Sequence, residues 1–207
     1  MSKCTTVKFT TKFLIVASGE NSAENIPMFP GLENFPIDDI HSSSYKSGKS
    51  YSGKNVLVIG SGNSGMEIAY DLATHGANTS IVIRSPVRRS VVIDVGTVGL
   101  IKKGIIKVQG SISKIKGNIV KFQRSKRMSF DAIVFATGYK STTNMWLKNG
   151  ESMLNGNRLS IQKYPNHWKG ENGLYCAGLA SRGLAGIATD AKNIANDIKY
   201  VMDSMSS

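Results

Sequence analysis

Six consecutive residues carry the most chemically specific pattern in the sequence: Gly60-Ser61-Gly62-Asn63-Ser64-Gly65. A G-x-G-x-x-G is informative where it follows a strand and opens a helix. Here the apolar run Val56–Ile59 precedes it, and Met66, Ile68, Ala69, Leu72 and Ala73 follow at helical spacing. Gly60 would allow a tight turn, Gly62 the approach of backbone to a pyrophosphate, and Gly65 close packing of helix on strand. The helix N-terminus, with its unpaired N–H groups and positive dipole end, would then hold the phosphates. The plain alternative is a glycine-rich turn that binds nothing.

The next chemistry-bearing residues lie at the end of a second predicted strand, Asn78–Arg84. An NAD site places an acidic residue there to bond the ribose 2′-hydroxyl. This chain has Arg84, 19 residues after Gly65 (84 − 65), then Ser85, Arg88 and Arg89, and no Asp or Glu between Asp71 and Asp94. Guanidinium groups suit a 2′-phosphate through charge-assisted, often bidentate hydrogen bonds. The residues therefore point to NADP, with a solvated basic turn as the alternative.

These residues need elements to position them, and the remaining sequence supplies candidates. Val7–Phe9 and Phe13–Ala17 read as strands, the second ending in Ala17-Ser18-Gly19. Asp131–Tyr139 is a buried strand with the matching ending Ala136-Thr137-Gly138. Such an exit can let backbone approach a ligand, or be an ordinary strand-to-loop turn. A proline-punctuated connector, Ile26–Pro36, leads to His41 and Tyr45, and a lone histidine among serines is commonly a hydrogen-bonded loop residue. Leu100–Gly104 reads as a turn, while Ile105–Gln109, Ser111–Ile115 and Ile119–Gln123 read as an antiparallel meander. After a last strand near Glu171–Leu179, a loop with Gly178 and Gly183 opens a helix with an apolar stripe from Leu184 to Met202. That stripe reads as core packing, Glu67 and Asp71 as the wet side of the first helix, and Ser204–Ser207 as a fraying end.

Composition limits the function classes. The 207 residues suffice for one domain or two small ones with a real core. No apolar run approaches the roughly 18 residues that span a membrane. Two cysteines, Cys4 and Cys176, form no disulfide framework and suit a reducing, cytoplasmic compartment. Three scattered histidines give no metal-ligand spacing, so no metal is expected. The net charge of +12 admits an anionic cofactor and substrate, a nucleic acid, an anionic membrane surface, or origin as part of a larger protein. Lys121, Arg124, Lys126 and Arg127 form the densest group without interleaved aromatics, so no nucleic-acid partner is expected.

Taken together, Leu14–Asn21, the nucleotide loop with Asn63–Glu67, Phe135–Tyr139, Gly170–Tyr175 and Arg182–Gly186 resemble the plant YUCCA-type flavin-containing monooxygenases. The order of these segments is the family's, over nearly the whole chain. The resemblance implies enzymes that use NADPH, FAD and O2 to decarboxylate indole-3-pyruvate oxidatively to the auxin indole-3-acetic acid. It implies an α/β fold with a Rossmann-like NADP-binding unit, a parallel sheet, an antiparallel β-meander, and remnants of an FAD-binding domain including the C-terminal helix. The implied divisions are 1–50, FAD-domain remnant and connector; 51–140, NADP-binding domain; and 141–207, a return to the FAD-binding domain. His41 and Tyr45 fall in the family's Phe-x-Gly-x-x-x-His-x-x-x-Tyr/Phe fingerprint, with Ile37 where Gly is expected. Gly178, Gly183 and Gly186 at the entry of the last helix offer another helix N-terminus for an anionic or flavin ligand.

Two departures shape the expectation. The family has an earlier G-x-G-x-x-G for the FAD pyrophosphate, and this sequence has one such motif in all. The family also has a longer stretch where Arg89 here runs directly toward Val91. The chain is therefore expected to be a truncated member that does not hold FAD tightly alone and associates through exposed apolar surface. The alternative is a catalytically incomplete NADP-binding module, or pseudoenzyme, of the same descent.

Overall fold

The computed structural model describes residues 7–36, 39–83, 94–123, 126–156 and 159–205. The chain divides into two compact units, Glu24–Gly138 and the pair of segments Met1–Ala23 and Tyr139–Ser207. The leading segment holds strand β1 (Leu14–Val16) and reaches β2 (Ala23–Glu24) at the crossing between units. No strand forms at Val7–Phe9, contrary to the alternation there; Val7 and Phe9 are 66% and 87% exposed, so nothing buries the pattern.

The second unit opens with β3 (Asp39–His41), β4 (Asn55–Ile59), helix α1 (Asn63–Thr74) and β5 (Asn78–Val82). Helix α2 (Thr97–Lys102) and β6 (Lys107–Gln109) follow, then β7 (Ile112–Lys116), β8 (Ile119–Phe122), β9 (Arg127–Ser129) and β10 (Ala132–Phe135). Five of these strands form one parallel sheet in the order β3-β10-β4-β5-β6. The uninterrupted Val56-Leu57-Val58-Ile59 run follows from that position, since a central parallel strand is covered on both faces. Val56 and Val58 pack with Met66, Ala69, Leu72 and Ile81 on the α1 side. Leu57 and Ile59 pack with Ile115, Val120 and Phe122 from the antiparallel sheet β7-β8-β9, and with Phe130 just after it, on the other.

Three sequence expectations change here. Residues 105–109 leave the meander: β6 joins the parallel sheet beside β5, buried Gln109 donates to Ser80 Oγ at 3.3 Å, and Ile106 enters the α1-side core. The supposed turn at Leu100 lies in α2, held by Thr97 Oγ1 donating to the Met66 carbonyl at 2.8 Å. The connector packs into this unit, with Phe29, Leu32 and Phe35 against the antiparallel-sheet core, so residues 24–50 divide from the first segment.

The other unit returns through β11 (Tyr139–Lys140) and the short helix α3 (Thr143–Trp146). β12 (Leu174–Cys176) pairs in parallel with β1, and α4 (Gly183–Met205) closes the unit. Only Asp190 and Ile194 of α4 are buried, whereas Leu184 is 86% exposed and Met202 54%. Of the stripe read as core packing, Ile194 and Ile198 pack with Tyr175, Ala177, Phe13 and Trp168, while Leu184 stands outside that cluster. No helix among the described residues is long and apolar enough to cross a membrane.

Candidate functional site

The glycine loop stands where the sheet order reverses. β5, reached through α1, lies on one side of β4, and β10 lies on the other. In an open parallel sheet the crevice beyond the strand ends at such a point is where ligands bind. Gly60 follows the end of β4, and Ala136-Thr137-Gly138 follow the end of β10.

The three glycines of the loop are required for different reasons. Gly60 has φ +114°, and a β-carbon there would stand 2.2 Å from the Ala136 carbonyl oxygen. At Gly65 it would stand 2.1 Å from the Gly60 carbonyl oxygen and 3.3 Å from Ala136 Cβ. At Gly62 it would meet no atom of the described residues within 4 Å. Folding therefore accounts for two glycines, and the third opens on clear space. Gly62 is also the N-cap of α1, with no side chain capping the helix. Gly62, Asn63 and Ser64 are exposed and Ser61 half-buried, so the first turn of the helix lies at the surface.

A bracing network fixes the facing turn. The Ala136 N–H donates to the Ile59 carbonyl at 2.9 Å, and Thr137 Oγ1 donates to the Asn25 carbonyl at 2.6 Å. His41 is buried, and the Ser43 N–H donates to its Nδ1 at 3.2 Å. That leaves Nε2 as the donor to the Gly138 carbonyl at 3.0 Å. The Ser43 hydroxyl bonds Glu24, whose carboxylate is 3.5 Å from His41 Nδ1. His41 is thus brought to the site as a brace for residues 136–138.

Tyr45 goes elsewhere. Its hydroxyl donates to Asp71 Oδ2 at 2.7 Å, the Gly48 N–H donates to the same oxygen at 2.6 Å, and its ring stacks on Tyr51. Asp71 lies nine residues beyond Gly62, roughly 13 Å along the helix. The fingerprint pair is therefore split between the turn after β10 and the flank of α1. Burial, then the Asp71 carboxylate, pushes the Tyr45 hydroxyl above its ordinary pKa. Burial opposes ionisation of Asp71, but bonds from Tyr45, the Gly48 N–H and His75 hold it below the usual carboxylate range. Asp71 is a junction of contacts rather than a wet-side residue.

Arg84, Ser85, Arg88 and Arg89 lie outside the described residues. The strand that leads to them, β5, ends beside the loop, where the Gly60 N–H donates to the Val82 carbonyl at 3.3 Å.

Residues 3–178 match the pyridine nucleotide-disulphide oxidoreductase family. The chain is 37% identical to the probable indole-3-pyruvate monooxygenase YUCCA10 of Arabidopsis thaliana, over 95% of this chain and 67% of that protein. It is 34% identical to the indole-3-pyruvate monooxygenase YUCCA1 of Oryza sativa subsp. japonica, over 90% and 61% of the two lengths. The chain belongs to the YUCCA-type flavin-containing monooxygenases. It spans about two-thirds of the first relative and three-fifths of the second. The Arabidopsis alignment runs over 255 residues, more than the 207 present here, so that relative has a stretch without counterpart in this chain. A flavin-containing monooxygenase from Stenotrophomonas maltophilia shares the fold, with a TM-score of 0.74 at 19% identity, over 90% of this chain and 62% of that one.

The YUCCA family is one of FAD- and NADPH-dependent enzymes. The Gly60–Gly65 loop fits the pyrophosphate of a dinucleotide. The other unit holds a cavity of about 390 Å³, lined by Ser18, Gly19, Gly178, Arg182, Gly183 and Asp190 among others. Its groups are largely spoken for. Asp190 Oδ1 is 2.7 Å from His167 Nε2, both side chains being buried, and Asp190 Oδ2 accepts the Gly178 N–H at 3.1 Å. Ser181 Oγ donates to Glu20 at 2.8 Å. The start of α4 faces this cavity through Gly183 and Gly186, with Gly178 and Arg182 beside it and the carboxylates of Glu20 and Asp190 also in the lining. A helix N-terminus and a guanidinium suit an anionic or polar portion of a flavin cofactor, so the residues present fit part of that group. The His167–Asp190 pair was missed from sequence; an aspartate set within the apolar stripe of α4 was the available signal.

Proposed function

We propose that the unit Glu24–Gly138 binds NADPH and serves the YUCCA-type reaction, the flavin-dependent oxidative decarboxylation of indole-3-pyruvate to indole-3-acetic acid. The observation that carries this reading is Gly62, open to solvent at an uncapped helix start over the sheet's switch point. Gly60 makes the turn, Gly65 seats helix on strand, and N–H groups of residues 61–65 face the pyrophosphate. Arg84, Ser85 and Arg88 are assigned to the 2′-phosphate. Ala136, Thr137 and Gly138, braced by His41, form the opposite wall. Gly178 and Gly183 are assigned to the flavin side of the other cavity, and Tyr45 to support of α1. FAD, when bound, supplies the oxygen chemistry; these residues bind and orient the nucleotide that reduces it. Its setting is the cytoplasm, where Cys176 stays a buried thiol, pushed up to about 12 by burial and then by Asp190.

A second reading is favoured by the bare apolar face of α4 and the single phosphate turn: an NADP-binding module without catalysis, which associates through that face. Stopped-flow NADPH oxidation, with FAD and indole-3-pyruvate added separately and together, separates the two. The first reading predicts oxidation that requires added FAD, with indole-3-acetic acid formed only when indole-3-pyruvate is also present; the second predicts NADPH binding without oxidation. Oxidation independent of flavin contradicts the monooxygenase assignment.

A further inference from the structure

The sheet β7-β8-β9 turns one face to the core and the other to water. Ile115, Val120 and Phe122 point inward. On the other face the register sets Lys114 opposite Lys121, and Lys121 opposite Arg127. Directly opposed residues share a face with β-carbons about 5 Å apart, so three cations cross the three strands in a row about 10 Å long. Lys116, two residues along from Lys114, extends the row beside Ile119. Lys114, Lys116 and Arg127 are exposed and Lys121 is half-buried.

This arrangement works against the fold. Like charges directly opposite each other destabilise a sheet, and an acidic residue in any of these positions would relieve the strain. Among the described residues no carboxylate lies within 4.0 Å of any of the four. Nor does the dinucleotide loop account for them, because it sits at the strand ends of the other sheet.

The chemistry of the face narrows the partner. The one aromatic ring in the three strands, Phe122, is buried, so no ring is available to stack on unpaired bases. Aliphatic side chains interrupt the cations instead. Ile119 is 44% exposed, and Met28, 98% exposed, lines an open groove with Lys114 and Lys116, where Glu33 is the one carboxylate among the described lining residues. A flat cationic face with a few projecting aliphatic groups complements an anionic lipid surface, where headgroups meet the charges and aliphatic tips enter the interface. We propose that this face docks the protein on anionic phospholipid bilayers, as a peripheral contact separate from the nucleotide site.

Flotation with phosphatidylcholine vesicles, with and without about a third phosphatidylserine, tests the proposal. The chain is expected to float with the anionic vesicles alone and to be released by salt. The triple variant Lys114→Gln, Lys121→Gln, Arg127→Gln should bind them about a hundredfold more weakly. A control that removes three exposed charges elsewhere, Lys49→Gln, Lys192→Gln, Lys199→Gln, should lose far less. Because the face variant relieves repulsion, it should melt no lower than the parent, so loss of fold does not mimic loss of binding. Equal losses in the two variants, no preference for anionic vesicles, or binding insensitive to salt would overturn the proposal. So would face-dependent retention of a nucleic-acid oligomer without vesicle binding.

Discussion

Gly62 and Gly65 lie three residues apart and need glycine for different reasons. A β-carbon at Gly65 strikes the Gly60 carbonyl, so Gly65→Ala should cost about 1 to 3 kcal/mol or more of stability, read by thermal melting. A β-carbon at Gly62 meets no atom of the described residues, so Gly62→Ala should cost under about 1 kcal/mol. Its effect should appear as weakened NADPH binding in a titration; a Gly62→Ala protein that binds normally would remove the ligand from the explanation. Asp71 supports a pH prediction. Its pKa is lower folded than unfolded, so its contribution is complete above about pH 4 and is lost as pH falls through the lower, folded value. Asp71→Asn keeps an acceptor for Tyr45 and Gly48 but removes the charge, so its melting temperature should approach the parent's as pH falls toward 2. A gap that stays constant with pH contradicts this account. The glycine spacing was legible in sequence because the motif is local. The partners of Asp71 and His41 were not, because Tyr45, Gly48 and Gly138 reach them through the fold.

At the scale of elements, strands with two buried faces were the easiest to read. Val56–Ile59 and Ala132–Phe135 are short apolar runs bounded by turns, and they form the sheet centre. Lys107–Gln109 misled because an edge strand of a parallel sheet can alternate like a hairpin strand, and only its pairing with β5 tells them apart. Helix α4 shows the opposite error. Its periodicity predicted the helix but not what covers it. Ile194 is buried against Tyr175 and Ala177, so Ile194→Ala should cost about 2 to 5 kcal/mol. Leu184→Ser should leave the melting temperature nearly unchanged while lowering concentration-dependent association in light scattering. If that variant destabilises the chain as much as Ile194→Ala does, Leu184 is covered in solution.

The whole molecule has two units of unequal provision. The unit Glu24–Gly138 has a five-stranded parallel sheet with cores on both faces and a glycine-rich turn at the start of α1. The other pairs two strands and holds a cavity at the start of its long helix, lined by Gly183, Arg182 and the carboxylates of Glu20 and Asp190 among others. The family and its two cofactors were legible from motif order, whereas the packing of the connector with the nucleotide unit depends on contacts far apart in sequence. The central claim is that this chain is an NADPH-selective dinucleotide binder. Calorimetric titration of the purified chain with NADPH and with NADH, repeated on Arg84→Glu, tests it most directly. The account predicts one NADPH per chain, much weaker NADH binding, and a loss in Arg84→Glu that falls mainly on NADPH. Absence of NADPH binding, or equal affinity for the two nucleotides before and after the substitution, would contradict it.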